Sequence, residues 1–385
     1  MFKNGALIKK QFGLERKDIS AGRYDNIDLI EFLAMLFVMI YHTTTVQWNI
    51  LADASVWTYI NYIVRPILAT CVPLFFFANG FLLINKKFDL KKHIIKMIRL
   101  IILTFIWGAI DLLLLMPIEG QWFTLREFVD ALWSWKQGWI NHLWYMGALI
   151  CVYIFFPLIK LTFDYNKKIF NYWLVVSILL SIGNSAIAMG LTFANYILRD
   201  GSTVFDYNFF NMFNPFASMY GFSFAFMSLG CFIGGNKEKI HEIIKKIPYI
   251  NTFSLAAIIL ISTLMLGAWG ILVAKLTGYL PDMVWDGYGT IFTAINVLGI
   301  YFISSNYKYK GNIVNRYIRN ISQNTLGIYY FHVVFLHLFS KYLLPLIPHV
   351  DNYLFNILYA FCVMTLCLFI SMLIKSIPVV KKLLM

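Results

Sequence analysis

The sequence predicts an all-α protein, a polytopic membrane bundle of about ten transmembrane helices with both termini cytoplasmic. Three observations predict it. Of 385 residues 60% are hydrophobic and only 13% charged, where a soluble domain carries about a quarter charged. Apolar runs of bilayer-crossing length, about 18 to 25 residues, recur along the whole chain. The Lys and Arg content alternates from loop to loop as the positive-inside rule demands.

The spans follow in order. Residues 27–49 begin IDLIEFLAMLFVMIYH, almost pure hydrocarbon. Residues 66–85 (PILATCVPLFFFANGFLLIN) precede a basic inner loop. Residues 98–117 (IRLIILTFIWGAIDLLLLMP) rise out of that loop, and 142–163 follow a Trp-rich connection. Residues 169–191 and 251–273 are rich in Leu and Ile, and 215–235 in Phe and Gly. Residues 289–305, 324–342 (NTLGIYYFHVVFLHLFSKY) and 353–376 complete the set. These bound a cytoplasmic tail at 1–26, one membrane domain at 27–376 and a second cytoplasmic tail at 377–385. Residues 1–23 hold six Lys and Arg without a short apolar core and small-residue cleavage site, so no cleavable signal is expected.

With the N-terminus inside, the inner segments collect 26 of the 32 Lys and Arg. The outer ones hold Arg65, Arg126, Lys136, Arg199, Lys275 and Lys341. One missed helix would scramble every later loop, so this split supports the span count. The net charge of +13 then reflects anionic lipid headgroups rather than nucleic acid. Two outer connections, near 118–141 and 192–214, are rich in aromatic residues. They read either as an interfacial aromatic belt or as a platform on which sugar rings stack. The five cysteines fall in apolar runs without a CxxC pair and read as small core residues.

Ionisable residues inside membrane helices are costly, and so mark functional positions. Glu31 and His42 share the first span. Eleven residues make three turns plus about 20°, placing both on one face roughly 16 Å apart along the axis. A neutral imidazole at His42 either bonds a backbone carbonyl or serves as a base of near-neutral pKa. Lys96 and Arg99 share a face at the start of the third span, either as positive-inside anchors or as a clamp for a polyanion. Asp111, deeper in that span, is a buried hydrogen-bonded acid or a participant in proton or acceptor handling. His142 opens the fourth span. His332 lies in the ninth, with His337 on a different face. No HExxH, GxSxG or P-loop pattern occurs, so neither a metal site nor ATP is expected.

Four stretches resemble the membrane acyltransferase family 3, bacterial proteins that move acyl groups from acyl-coenzyme A to sugars of surface polysaccharides. They are NIDLIEFLAMLFVMIYH (26–42), VPLFFFANGFLL (72–83), NHLWYMGALICVYIFFPLI (141–159) and ISQNTLGIYYFHVVF (321–335). Their order and spacing agree with the family over nearly the whole chain. The resemblance implies a multi-pass O-acyltransferase of the bacterial cell membrane. Its donor would be acetyl-CoA or another acyl-CoA, and its acceptor a surface glycan or lipid-linked oligosaccharide. By position, His42 falls on the catalytic histidine and His332 on the ninth-span histidine. Lys96 and Arg99 fall on a basic pair, here assigned to the donor's phosphates. Glu31 replaces an Arg of the family and is counted with His42 and His332 as a candidate catalytic residue, orienting a basic side chain such as Arg99; Asn79 stands where Ser is usual. Arg23 is one cation that could stand in for the missing Arg, and it joins Lys96 and Arg99 as a candidate donor contact. Asp111, His142, Trp144 and Asn79 are candidate acceptor contacts. Two other readings stay open: a transporter of a lipid-linked glycan or small solute, and an inactive relative acting as an assembly partner. The oligomeric state is not written in the sequence.

Overall fold

Each of the ten apolar segments contains a helix. The computed structural model describes residues 23–378 except 136–137, 200, 202, 206–209, 211, 217–219 and 248. Residues 1–22 of the tail expected at 1–26, Lys136 and the end of the C-terminal tail lie outside the described residues. In chain order the α-helices are α1 (Asp25–His42), α2 (Val56–Val64), α3 (Cys71–Ile84), α4 (Leu90–Glu119), α5 (Leu125–Trp133), α6 (Trp144–Tyr165) and α7 (Lys167–Ile178). They continue as α8 (Asn184–Arg199), α9 (Gly221–Gly235), α10 (Lys237–Lys245), α11 (Thr252–Thr277), α12 (Ile291–Ser304), α13 (Ile313–Tyr342) and α14 (Tyr353–Ser376). No strand occurs among the described residues.

Six helical stretches are long and apolar enough to cross a membrane: Val56–Ile84, Leu90–Glu119, Leu125–Tyr165, Lys167–Leu198, Thr252–Thr277 and Tyr353–Ser376. Helices α9 and α12 are apolar but shorter. Helix α1 carries Asp25, Asp28 and Glu31 within its 18 residues, and α13 opens with Arg316 and Arg319.

The first helix is shorter than its apolar run. It ends at His42 rather than near residue 49. The physical reason is Thr43, whose backbone N–H and Oγ1 both donate to the Met39 carbonyl at 2.8 Å. A side chain that satisfies the last carbonyls, followed by two further β-branched threonines, favours termination over another turn. His42 is therefore the last helical residue, not a mid-helix one.

The chain forms two compact units. The first comprises Met1–Thr43, Leu103–His142 and Ser304–Met385, the second Thr44–Ile102 and Leu143–Ile303. In the first, α1 packs against α13 and α14. Its apolar face runs through Ile27, Ile30, Ala34, Met35, Val38 and Met39, all buried. Asp28, Met35 and Met39 mark this buried side at spacings of seven and four, and His42, three residues on, ends the helix with an exposed side chain. Asn356 on α14 donates to Thr43 Oγ1 at 2.9 Å and fixes the point where α1 stops.

In the second unit α3 and α9 pack backbone to backbone. A Cβ at Gly80 would lie 2.1 Å from the Met227 carbonyl oxygen, and one at Gly230 would lie 2.0 Å from that of Phe77. Small residues at these positions let two apolar helices approach closely where lipid offers no hydrophobic drive. This accounts for the glycine in the VPLFFFANGFLL run. Between α7 and α8 the helix widens into a π-turn at Leu179–Gly183, and Asn214 Nδ2 donates to the Leu180 carbonyl there at 2.7 Å. Arg65 pairs with Asp282 at 2.8 Å, its guanidinium 4.2 Å from the Trp48 ring centroid. Cys71, Cys231 and Cys367 are buried and unbridged, as core residues would be, whereas Cys151 is half-buried and Cys362 exposed on an apolar helix, so the core reading holds for three of the five.

Candidate functional site

Four sequence-selected residues of the first unit converge. His332 sits between two other imidazoles: its ring centroid is 5.2 Å from that of His42 and 5.2 Å from that of His142. His142 Nε2 in turn lies 3.7 Å from Asp111 Oδ2. That spacing is within ion-pair range and beyond a hydrogen bond. Each residue arrives on a different element. His42 is the final residue of α1, and His332 lies on α13. His142 lies in a 3₁₀ turn, Gly138–Leu143, and Asp111 on α4.

The local sequence holds these side chains in place. His332 Nδ1 lies 2.5 Å from the Tyr329 carbonyl one turn back. A carbonyl only accepts, so Nδ1 carries the proton and Nε2 keeps its lone pair. Tyr329 Oη donates to the His142 carbonyl at 2.5 Å. That tyrosine therefore ties the turn carrying His142 to the helix carrying His332. Trp107 stacks on Tyr330 with centroids 5.6 Å apart and meets Phe331 edge-on at 4.7 Å, locking α4 against α13.

Burial makes the cluster costly. Asp111 and His332 are 0% exposed and His142 3%. Both Asp111 oxygens, both His142 nitrogens and His332 Nε2 have no hydrogen-bond partner among the described residues. Native folds leave few such groups, and each costs about 1–3 kcal/mol, more when charged. His42, by contrast, is exposed. The arrangement is one open imidazole backed by a row of buried, unsatisfied acid–base groups. It can accept a proton at His42 and stabilise the resulting charge through His332, His142 and Asp111. The described residues contain no group of three or more His, Cys, Asp or Glu that could hold a metal ion.

Glu31 is elsewhere. Its Oε2 accepts from Ser322 Oγ at 2.5 Å, near the other end of α1. Ser322 also meets Asp28 Oδ1 at 2.8 Å. Arg23 grips Asp28 with a fork, Nε to Oδ2 at 2.7 Å and NH2 to Oδ1 at 2.5 Å. Arg319 pairs with Asp25 at 2.8 Å. Arg23 thus serves Asp28, one turn before Glu31 on the same helix.

The second unit holds the remaining selected residues. Lys96 and Arg99 are both exposed on α4. Lys96 Nζ lies 3.4 Å from Tyr153 Oη, which donates to Asn79 Oδ1 at 2.8 Å. Lys96 and Asn79, assigned to different ligands from the sequence, are thereby joined. Tyr153 and His93 were not singled out, although His93 precedes Lys96 by three residues on the same face and its Nε2 lies 2.8 Å from the Tyr153 carbonyl. Trp144 is in an aromatic group of its own, stacked on Tyr220 and Tyr288 at 6.2 and 5.9 Å and edge-on to Trp285 at 4.8 Å.

Residues 24–375 match the family model of the Acyltransferase domain, Acyl_transf_3. The chain belongs to this acyltransferase family, and with its apolar helices it is a membrane acyltransferase. A comparison with curated proteins and one with solved structures give no match.

Proposed function

We propose that the protein is a multi-pass O-acyltransferase of the bacterial plasma membrane, crossing it ten times with both termini cytoplasmic. It takes an acyl group, acetyl in the simplest case, from acyl-CoA. It passes that group to a sugar hydroxyl of a surface glycan or lipid-linked oligosaccharide. The observation that carries the chemistry is the His42–His332–His142–Asp111 cluster, where an open imidazole meets buried acid–base groups whose Asp111 oxygens, His142 nitrogens and His332 Nε2 have no hydrogen-bond partner among the described residues.

His42 takes the proton of the acceptor hydroxyl. The oxygen attacks the thioester carbonyl, the C–S bond breaks, and His42 returns the proton to the leaving thiolate. General-base help of this kind is worth about 10² to 10⁴ in rate. His332 has its proton committed to Tyr329 and a lone pair at Nε2, so it shares the charge that develops on His42. His142 and Asp111 extend that row and orient it, as a base is commonly oriented by a third group. Lys96 and Arg99 are assigned to the donor's phosphates, Arg as a planar fork and Lys as a point charge. Trp144 and its aromatic neighbours are assigned to the acceptor, as is Asn79, which Tyr153 orients.

The test is the His42→Ala variant, purified in detergent and given labelled acyl-CoA with an acceptor glycan. Loss of thiol release and of acyl transfer, with an unchanged gel-filtration profile, is expected. Transfer at the wild-type rate by that variant overturns the assignment. Mass spectrometry of surface glycans from cells with and without the protein then gives the acyl mass and the acceptor together.

A further inference from the structure

The second unit contains a cavity of about 540 Å³ that the acyl-transfer chemistry does not use. Helix α8 lines it with Met189, Gly190 and Phe193, α11 with Met265, Trp269 and Leu272, and the start of α12 closes one side. Its size is within the roughly 300–1,000 Å³ of small-molecule sites. The wall offers hydrocarbon, aromatic faces and one hydroxyl, that of Tyr196. Both α8 and α11 belong to stretches long and apolar enough to cross a membrane. The natural ligand of such a wall is an alkyl chain, with no polar group to satisfy along its length.

One end is different. Lys275 lies one turn beyond Leu272 on the same face of α11. Its ammonium donates to Tyr196 Oη at 2.8 Å and lies 5.3 Å from that ring's centroid. Gly278, with φ of 71°, stops the helix just after. The cavity is therefore a hydrocarbon slot with a cation beside the tyrosine at its rim. We propose that it holds one acyl chain of an anionic glycerophospholipid, with the lipid's phosphate against Lys275. A zwitterionic headgroup brings its own cation to the lysine and is disfavoured, so the slot selects by headgroup charge as well as by chain.

Gly190 supplies a clean probe. A Cβ added there meets no atom within 4 Å, so a larger side chain fills the slot without displacing the fold. The full-length protein is purified in a mild detergent and offered palmitoyl-oleoyl phosphatidylglycerol or the matching phosphatidylcholine. Retained lipid is then read by native mass spectrometry. The wild type is expected to keep one phosphatidylglycerol and little phosphatidylcholine. Gly190→Leu is expected to lose the bound lipid while keeping its gel-filtration profile and thermal midpoint. Lys275→Gln is expected to retain lipid without preference between the two headgroups. Equal retention by Gly190→Leu and wild type overturns the proposal. So does equal retention of both lipids by the wild type, or a bound species that proves to be detergent or an isoprenoid phosphate.

Discussion

The two ends of helix α1 carry ionisable groups in opposite states of satisfaction. At the Asp25 end, each carboxylate faces a partner. Asp28 is gripped by Arg23, Asp25 by Arg319 and by the Tyr309 backbone N–H at 3.0 Å, and Glu31 by Ser322. At the His42 end, buried acid–base atoms stand without hydrogen-bond partners. One helix thus holds a bonded clamp and, roughly 16 Å along its axis, the edge of an unbonded acid–base cluster. A fully bonded network spends its polarity on holding helices in register. An unbonded one keeps that polarity for a substrate. Glu31, where the resemblance in sequence implies an arginine, belongs to the clamp: Ser322 bonds both it and Asp28, and the Arg23 guanidinium beside them supplies positive charge.

Four substitutions break or sharpen this contrast. The largest effect is expected for His332→Ala, which removes the group backing His42. Transfer should fall by about 10²-fold, while the thermal midpoint holds or rises because an unsatisfied buried atom is removed. A falling midpoint with unchanged turnover would reverse the assignment of the two ends. Asn356→Ala frees the end of α1 and should lower kcat by about tenfold with little change in KM, since small misplacements of a reacting group are expensive. Steady-state kinetics read that split. Asp28→Ala leaves the Arg23 guanidinium without its carboxylate and should cost about 2 kcal/mol of stability. It should appear as a lower thermal midpoint, with turnover per folded molecule retained. Glu31→Gln keeps an oxygen to accept from Ser322 and should change stability by less than about 1 kcal/mol. It should leave the transfer rate nearly unaltered, and a large loss of rate would place Glu31 among the reacting groups.

The helical segments were legible because a bilayer-length apolar run has one economical conformation, with every backbone group bonded inside the helix. His42, His332, His142 and Asp111 were legible one at a time, as ionisable residues in apolar surroundings. Their convergence was not. It depends on which faces of α1, α4 and α13 meet, and the apolar periodicity of nearly all-hydrocarbon helices does not mark a face. The end of α1 at His42 hid in the Thr43–Thr45 run, where Thr43 Oγ1 bonds the Met39 carbonyl rather than announcing a stop. By sequence Arg23 stands as a cation available to the donor. Asp28, the partner that claims it, gave no separate signal, since an acid in a first turn is ordinary helix chemistry. Lys96 was legible by its charge. The bridge from it to Asn79 runs through Tyr153, one tyrosine of 23, and only the packing singles it out.

The hydrogen bond from His332 Nδ1 to the Tyr329 carbonyl has a pharmacological corollary. An electrophile that reaches this ring finds a single reactive nitrogen, so covalent capture there would give one regioisomer. A reversible blocker need only present a donor toward Nε2, because the opposite side of the heterocycle is already spoken for by the main chain.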